Sequence, residues 1–133
     1  MNIYIASSFK NLHAVHLLRD QLVRQGHQVL DWSALAPPLP EGMPPETRRR
    51  LLDSDERGDI FSFCLDACLH SDLVIYLGPA GQDAAAEVGL AYAGNVPVLG
   101  LAGPLEAPGL ILTRCVKQWF TQAEALLASL EPR

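Results

Sequence analysis

The chain alternates short apolar runs with longer stretches of helical period. Asn2 to Ala6 (NIYIA) is apolar and aromatic and stops at Ser7-Ser8, the pattern of a buried strand. From about Leu12 to Gln25, Leu12, Val15, Leu18, Leu22 and Val23 recur at helical spacing, and Gly26 closes the helix. His27 to Trp32 (HQVLDW) predicts a second strand. The prolines clustered between Pro37 and Pro45 predict a loop too long for a plain connector and suited to a lid or binding loop. Pro44-Pro45 opens a helix running to about Glu56, and Gly58 separates it from a second, more buried helix over DIFSFCLDACLHSD. Leu73 to Leu77 is a continuous apolar strand, followed by a helix over Ala84 to Ala93 and a strand from Val96 to Leu101. RCVKQWF, from Arg114 to Phe120, predicts a short fifth strand. Thr121 and Glu124 have capping-box spacing, and the final helix runs to about Leu130.

Strands alternating with helices, with apolar strands buried on both faces, predict an α/β protein: a mainly parallel sheet of about five strands in a three-layer sandwich. The length of 133 residues suits one domain over 1–133. In open sheets of this kind ligands bind beyond the carboxyl ends of the strands. That rule selects SSFKN after the first strand, SALAPPLP after the second and GPAGQDAAAE after the third.

The third of these stretches combines small residues with two acids, Asp83 and Glu87, one helical turn apart on one face. Gly78 and Gly81 make the turn that delivers a helix N-terminus, where backbone N–H groups favour anions. Asp83 suits an N-cap, or an acid facing a ligand. Glu87 is either a surface acid favoured by the helix dipole or, facing a crevice with only alanines and glycine around it, a nucleophile for covalent catalysis at a sugar carbon. Tyr4, in mid-strand, is a core residue or a hydroxyl that orients a neighbouring carboxylate. Ser7, Ser8, Phe9 and Lys10 lie at a helix start, where the serines either cap the helix or seat a phosphate or sugar hydroxyls. Trp32, at the end of the second strand, packs in the core or stacks on a base.

Composition narrows the classes. A net charge of −5 argues against a nucleic-acid polymer as partner. The basic cluster Arg48-Arg49-Arg50 sits among Glu46, Asp53, Asp55 and Glu56 and reads as a solvated, salt-bridged helix surface. Cys64, Cys68 and Cys115 lack CxxC spacing and behave as small hydrophobes rather than metal ligands, and reduced thiols fit the cytoplasm. No signal-peptide pattern opens the chain and no apolar run reaches a membrane span of about 18 residues. GxxxxGK[ST] and GxGxxG are both missing, so neither a P-loop nor a dinucleotide-binding Rossmann domain is expected, and no cofactor is implied.

NIYIASSF, followed by SDLVIYLGPAGQDAAAEVGLAYAGNVPVLGL, resembles the nucleoside 2-deoxyribosyltransferase family and its relatives, the nucleoside 5′-monophosphate N-glycosidases. The resemblance spans nearly the whole chain as a pattern of elements, and its specific part is an acid-containing turn, E-x-G-x-A-x-A, then PV opening a strand. It implies a flavodoxin-like fold and cleavage of the N-glycosidic bond of a (deoxy)nucleoside or its 5′-monophosphate, by hydrolysis or base exchange, through a glycosyl-glutamate intermediate. By motif position the nucleophile falls on Glu87 and its orienting tyrosine on Tyr4. Asp83 becomes the donor to the leaving base, SSFKN holds the 5′ end with Lys10 hinting at a phosphate, and Trp32 meets the base. Asp72 matches a strand-opening acid with a structural, capping role. A homodimer or larger assembly is implied, with a small nucleoside or nucleotide as ligand.

Three departures stand out. The family's acid about six residues before the glutamate is replaced by Gly81, with Asp83 coming later. An acid expected eight residues before Asp72 falls on Cys64, leaving Asp59 or Asp66 as substitutes. C-terminal groups that a neighbouring subunit lends to the sugar in the transferases have no match. Two alternatives follow: a TIR-like glycohydrolase of NAD, and a nucleotide-binding or sensing domain without chemistry.

Overall fold

The computed structural model describes residues 1–35 and 38–132. Among them, five strands form one sheet: β1 (Asn2–Ala6), β2 (Gln28–Leu30), β3 (Leu73–Leu77), β4 (Val98–Leu101) and β5 (Gln118–Phe120). The strand order is β2-β1-β3-β4-β5 and every pairing is parallel. Six helices cover it among the described residues: α1 (Leu12–Arg24), α2 (Pro45–Leu52), α3 (Asp55–His70), α4 (Gln82–Ala93), α5 (Leu110–Cys115) and α6 (Ala123–Ser129). This is a flavodoxin-like α/β sandwich, as the alternation of elements and the family resemblance predict.

Strand side chains alternate between two cores. Tyr4, Ala6, Val74, Tyr76 and Val98 face Ala67 and Cys68 of α3 and Ala84, Val88 and Ala91 of α4. Ile3, Ile5, Leu73, Ile75, Leu77 and Leu99 face Val15, Leu18 and Leu22 of α1 and Leu126 of α6. Leu22 and Leu126 are fully buried, and each such side chain contributes about 1.5–3 kcal/mol. All five residues of β3 are buried because both faces are covered, which is why that strand reads as an unbroken apolar run. α4 turns the small residues Ala84, Val88 and Ala91 toward the sheet, so helix and sheet pack closely.

Local chemistry moves several boundaries from their sequence positions. The helix break lies at Asp53 and Ser54, not Gly58: the Ser54 hydroxyl accepts the Arg57 N–H as the cap of α3, and Gly58 falls in that helix's first turn. β4 starts at Val98 because Pro97 has no N–H to give the ladder, although its carbonyl accepts from Val74 at 3.0 Å. Arg114 and Cys115 end helix α5, leaving only Gln118–Phe120 for the fifth strand. α6 is capped at Gln122 without a side-chain hydrogen bond, so the Thr121 capping box does not form. Pro37, the first proline of the predicted lid loop, lies outside the described residues. No helix among those described is long and apolar enough to cross a membrane.

Candidate active site

β1 pairs with β2 on one side and β3 on the other, so the chain reverses its direction of travel across the sheet between β1 and β3. Loops diverge there and leave a crevice. A cavity of about 720 Å³ opens at this point, within the size range of small-molecule sites. Its floor is Tyr4 and Ser7 of β1 and the loop behind it, one wall is α4 from Gln82 to Leu90, and the opposite wall is α3.

Tyr4 and Glu87 meet on the floor. The Tyr4 hydroxyl donates to Glu87 Oε2 in a short hydrogen bond, and Cys68 Sγ donates to the same oxygen at 3.8 Å. Alternation along β1 points Tyr4 toward α4, and Glu87 lies on the α4 face that leans over the end of β1. Burial raises Glu87 to about 7, the Tyr4 hydrogen bond pulls it back, Asp83 raises it, and Cys68 lowers it. A carboxyl poised there changes charge near neutrality and serves either as nucleophile or as acid. Burial, then the Glu87 charge, pushes the Tyr4 hydroxyl far up, so it stays protonated and remains a donor. Burial also raises the Cys64 and Cys68 thiols, the latter to about 12, so both are neutral thiols beside the pair.

The other sequence-selected residues divide. Asp83 lines the cavity from the first turn of α4, but the cap of that helix is Gly81, so Asp83 is not the N-cap. Ser7 is structural: its hydroxyl donates to the Leu77 carbonyl at 2.8 Å, fastening the ends of β1 and β3. Ser8 lines the cavity, makes no side-chain cap, and its buried hydroxyl has no partner among the described residues. Phe9 and Trp32 pack edge to face with centroids 5.0 Å apart, and the indole N–H donates to the Ile5 carbonyl at 2.7 Å. Trp32 is thus a fixed part of the cavity wall. Gly81 lines the cavity, but Lys10 and Gly78 do not. Lys10 points into solvent, and Gly78 packs against Glu106, where a Cβ would stand 1.9 Å from Oε1. Asp72 accepts the Asn2 N–H at 2.7 Å and holds the starts of β1 and β3 together. Asp66 and His70 form an exposed i,i+4 pair at 3.8 Å on the outside of α3.

Two features were not singled out from sequence. Ile60, Phe61, Cys64 and Leu65 of α3 line the cavity with Arg57, and Arg48 and Leu52 of α2 join them. The helical spacing 57, 60, 61, 64, 65 was the available signal. Beneath the turn before α4, the Tyr76 hydroxyl donates to Glu106 Oε2 at 2.5 Å and accepts the Ala80 N–H at 3.2 Å, and Glu106 Oε1 accepts the Gly103 N–H at 2.8 Å. Asn11 adds a bond to the Pro79 carbonyl at 2.5 Å. Together they fix the strand-to-helix turn that aims α4.

No family model and no curated protein sequence matches the chain. Solved structures do. A 2-deoxyribosyltransferase from Bacillus psychrosaccharolyticus is 22% identical over 100% of this chain and 98% of its own, with a TM-score of 0.75. A conserved protein from Enterococcus faecalis V583 is 20% identical over 96% and 95%, with a TM-score of 0.70. The CMP N-glycosidase BcmB from Clostridium botulinum is 15% identical over 98% of each chain, with a TM-score of 0.63. The chain therefore shares its fold, end to end, with a deoxyribosyltransferase and a nucleotide N-glycosidase, the two groups that its sequence resembles.

Proposed function

We propose that the protein is an enzyme that cleaves the N-glycosidic bond of a (deoxy)nucleoside or its 5′-monophosphate, with Glu87 as nucleophile. The observation that carries this is the Tyr4–Glu87 hydrogen bond on the floor of a cavity at the switch point of the sheet. Tyr4 holds one carboxylate oxygen and leaves the other for the substrate. In the first step a Glu87 oxygen bonds to C1′ while the C1′–N bond breaks and its electron pair leaves with the base. Asp83 gives the base its proton. In the second step water, or a second base, adds to C1′, its proton passes to Asp83, and the Glu87 ester opens. Residues four apart on a helix share a face with Cβ atoms about 5–6 Å apart, so Asp83 and Glu87 can address the same substrate. Small neighbours leave this space open: Ala84 and Ala86 line it.

The test is base release. The protein and its Glu87→Ala variant are incubated with nucleosides, 5′-monophosphates and NAD, and free base is followed by chromatography. Release by the parent alone supports the reading, and release by neither, or equally by both, overturns it. Exposed Tyr92 on α4 and Leu110 and Ile111 on α5, two helices in contact, support self-association, which light scattering measures.

A further inference from the structure

The cavity changes character along its length. Glu87 and Asp83 mark its acidic end, where Cys64 hydrogen-bonds Tyr4. From there α3 presents one stripe outward: Leu65, Cys64, Phe61, Ile60 and finally Arg57. Seven residues separate Cys64 from Arg57, which sets the guanidinium's backbone about 10 Å further along the helix axis. α2 closes the same end with Arg48 and Leu52, one turn apart.

The three consecutive arginines of α2 behave differently. Arg49 pairs with Asp53 at 3.9 Å and Arg50 with Glu46 at 3.7 Å, both on the helix's own surface. Arg48 is the one that lines the cavity, and it has no ion pair among the described residues. Phe61 on the same wall is 63% exposed, and the Ser8 hydroxyl in the floor loop is buried without a partner among the described residues. An acidic chain of net charge −5 thus places two guanidinium groups at one end of a cavity that has carboxylates at the other. A neutral nucleoside carries no charge to complement that end. A phosphoryl group matches their planar, forked donors.

We propose that Arg48 and Arg57 form an anion subsite at the mouth of the cavity, selecting a substrate that carries a phosphoryl group over a free nucleoside. This rests on the glycosidic reading only for the position of the reacting carbon beside Glu87. It moves the anion from the loop after β1, where Lys10 points away, to the α2–α3 side. A 5′-monophosphate and the pyrophosphate of a dinucleotide present the same chemistry.

Calorimetric titration of the Glu87→Ala protein, which lacks the proposed nucleophile, tests this with ribose, ribose 5-phosphate, paired nucleosides and 5′-monophosphates, and NAD. The expected result is a preference for the phosphorylated member of each pair of about tenfold or more, weakening as salt is raised. Arg48→Gln with Arg57→Gln brings that ratio to within about threefold, whereas Arg49→Gln keeps it. Equal affinity for both members of each pair, or a ratio that survives the double substitution or is insensitive to salt, overturns the subsite. Arginine-dependent binding of NAD above every monophosphate supports it and assigns the phosphoryl group to a dinucleotide. Ribose 5-phosphate has no base to lose, so the two readings fail separately. Its arginine-dependent binding without base release from any substrate sinks the glycosidic reading and supports the subsite. Equal base release from nucleosides and monophosphates does the reverse.

Discussion

Exchanging Glu87 for glutamine keeps the size of the side chain and an oxygen to accept from Tyr4, while removing a charge that the fold holds at a cost. The carboxyl sits at about 7 in the folded protein against 4.5 when exposed, a difference of about 2.5, and burial is the largest cause. At 1.36 kcal/mol per unit this is about 3 kcal/mol of destabilisation once the group is ionised. Because the folded value lies above the unfolded one, the folded state binds more protons between the two. Stability is therefore complete below about 4.5 and falls as pH rises through about 7. Urea midpoints of parent and Glu87→Gln are compared from pH 4 to pH 8. Titrations common to both proteins cancel in the difference, and any fixed packing effect of the amide appears as a constant offset. The variant should gain about 3 kcal/mol on the parent across that range, about 10 °C in Tm at the alkaline end for a chain of this length. A difference that stays flat with pH, or that runs in the opposite direction, would show that Glu87 is not held against its charge, and the reasoning about the cavity floor would fail.

The remaining predictions concern its neighbours. Base release should rise with pH through about 7 as Glu87 ionises, and Tyr4→Phe, which removes a donor to the carboxylate, should move that inflection about one unit toward alkaline pH; an unmoved kcat/KM profile refutes the pairing. Ser7→Ala deletes the bond to the Leu77 carbonyl and should cost about 1–2 kcal/mol in urea unfolding. Gly100→Ala places a Cβ 2.6 Å from Trp119 Cε3 inside the sheet and should cost about 1–3 kcal/mol, read as a drop in Tm. Cys64, on the cavity wall with its thiol held above the usual range, should alkylate slowly at pH 7, faster at pH 9, and not at all once a ligand fills the cavity, while Cys68, fully buried, stays unlabelled in peptide maps.

The strands and the helices that flank them were legible in sequence because burial on both sides of β3 and on one side of α1 leaves unambiguous periods. Glu87 and Tyr4 were legible as separate residues: each had a bland reading that only their meeting across 83 positions removes. The α2–α3 break was misplaced because a glycine is a louder signal than a serine cap, yet glycine in a first helical turn costs little. Arg48 was hidden for a different reason. In a run of three arginines the sequence pattern shows that two can pair along the helix, but not which face α3 leaves open. Glu106 had no signal at all. It lies in a Pro/Gly-rich turn with no period to place it, and its partner is thirty residues away in a strand.

That partner makes the molecule's second tyrosine–glutamate pair, and the contrast between the two explains what distinguishes a site from a strut. Tyr4 and Tyr76 lie on the same face of the sheet, on neighbouring strands, and each donates to a carboxylate. Around Glu106 every oxygen is used: one takes the Tyr76 hydroxyl, the other the Gly103 N–H, and the side chain fills the space that Gly78 leaves. Such a carboxylate is tied down through both oxygens and holds a turn. Glu87 receives the Tyr4 hydroxyl and a thiol on a single oxygen, Oε2, and its side chain lines the cavity beside Ala84 and Ala86. Burial without full hydrogen bonding is what raises it toward neutrality. The strut and the site are coupled, since the turn that Tyr76 and Glu106 clamp is the one from which α4 carries Asp83 and Glu87 into the cavity. The carboxylate proposed to react, bonded through one oxygen only, needs rigid support beneath it, and the pair one strand away, bonded through both oxygens of Glu106, supplies that support.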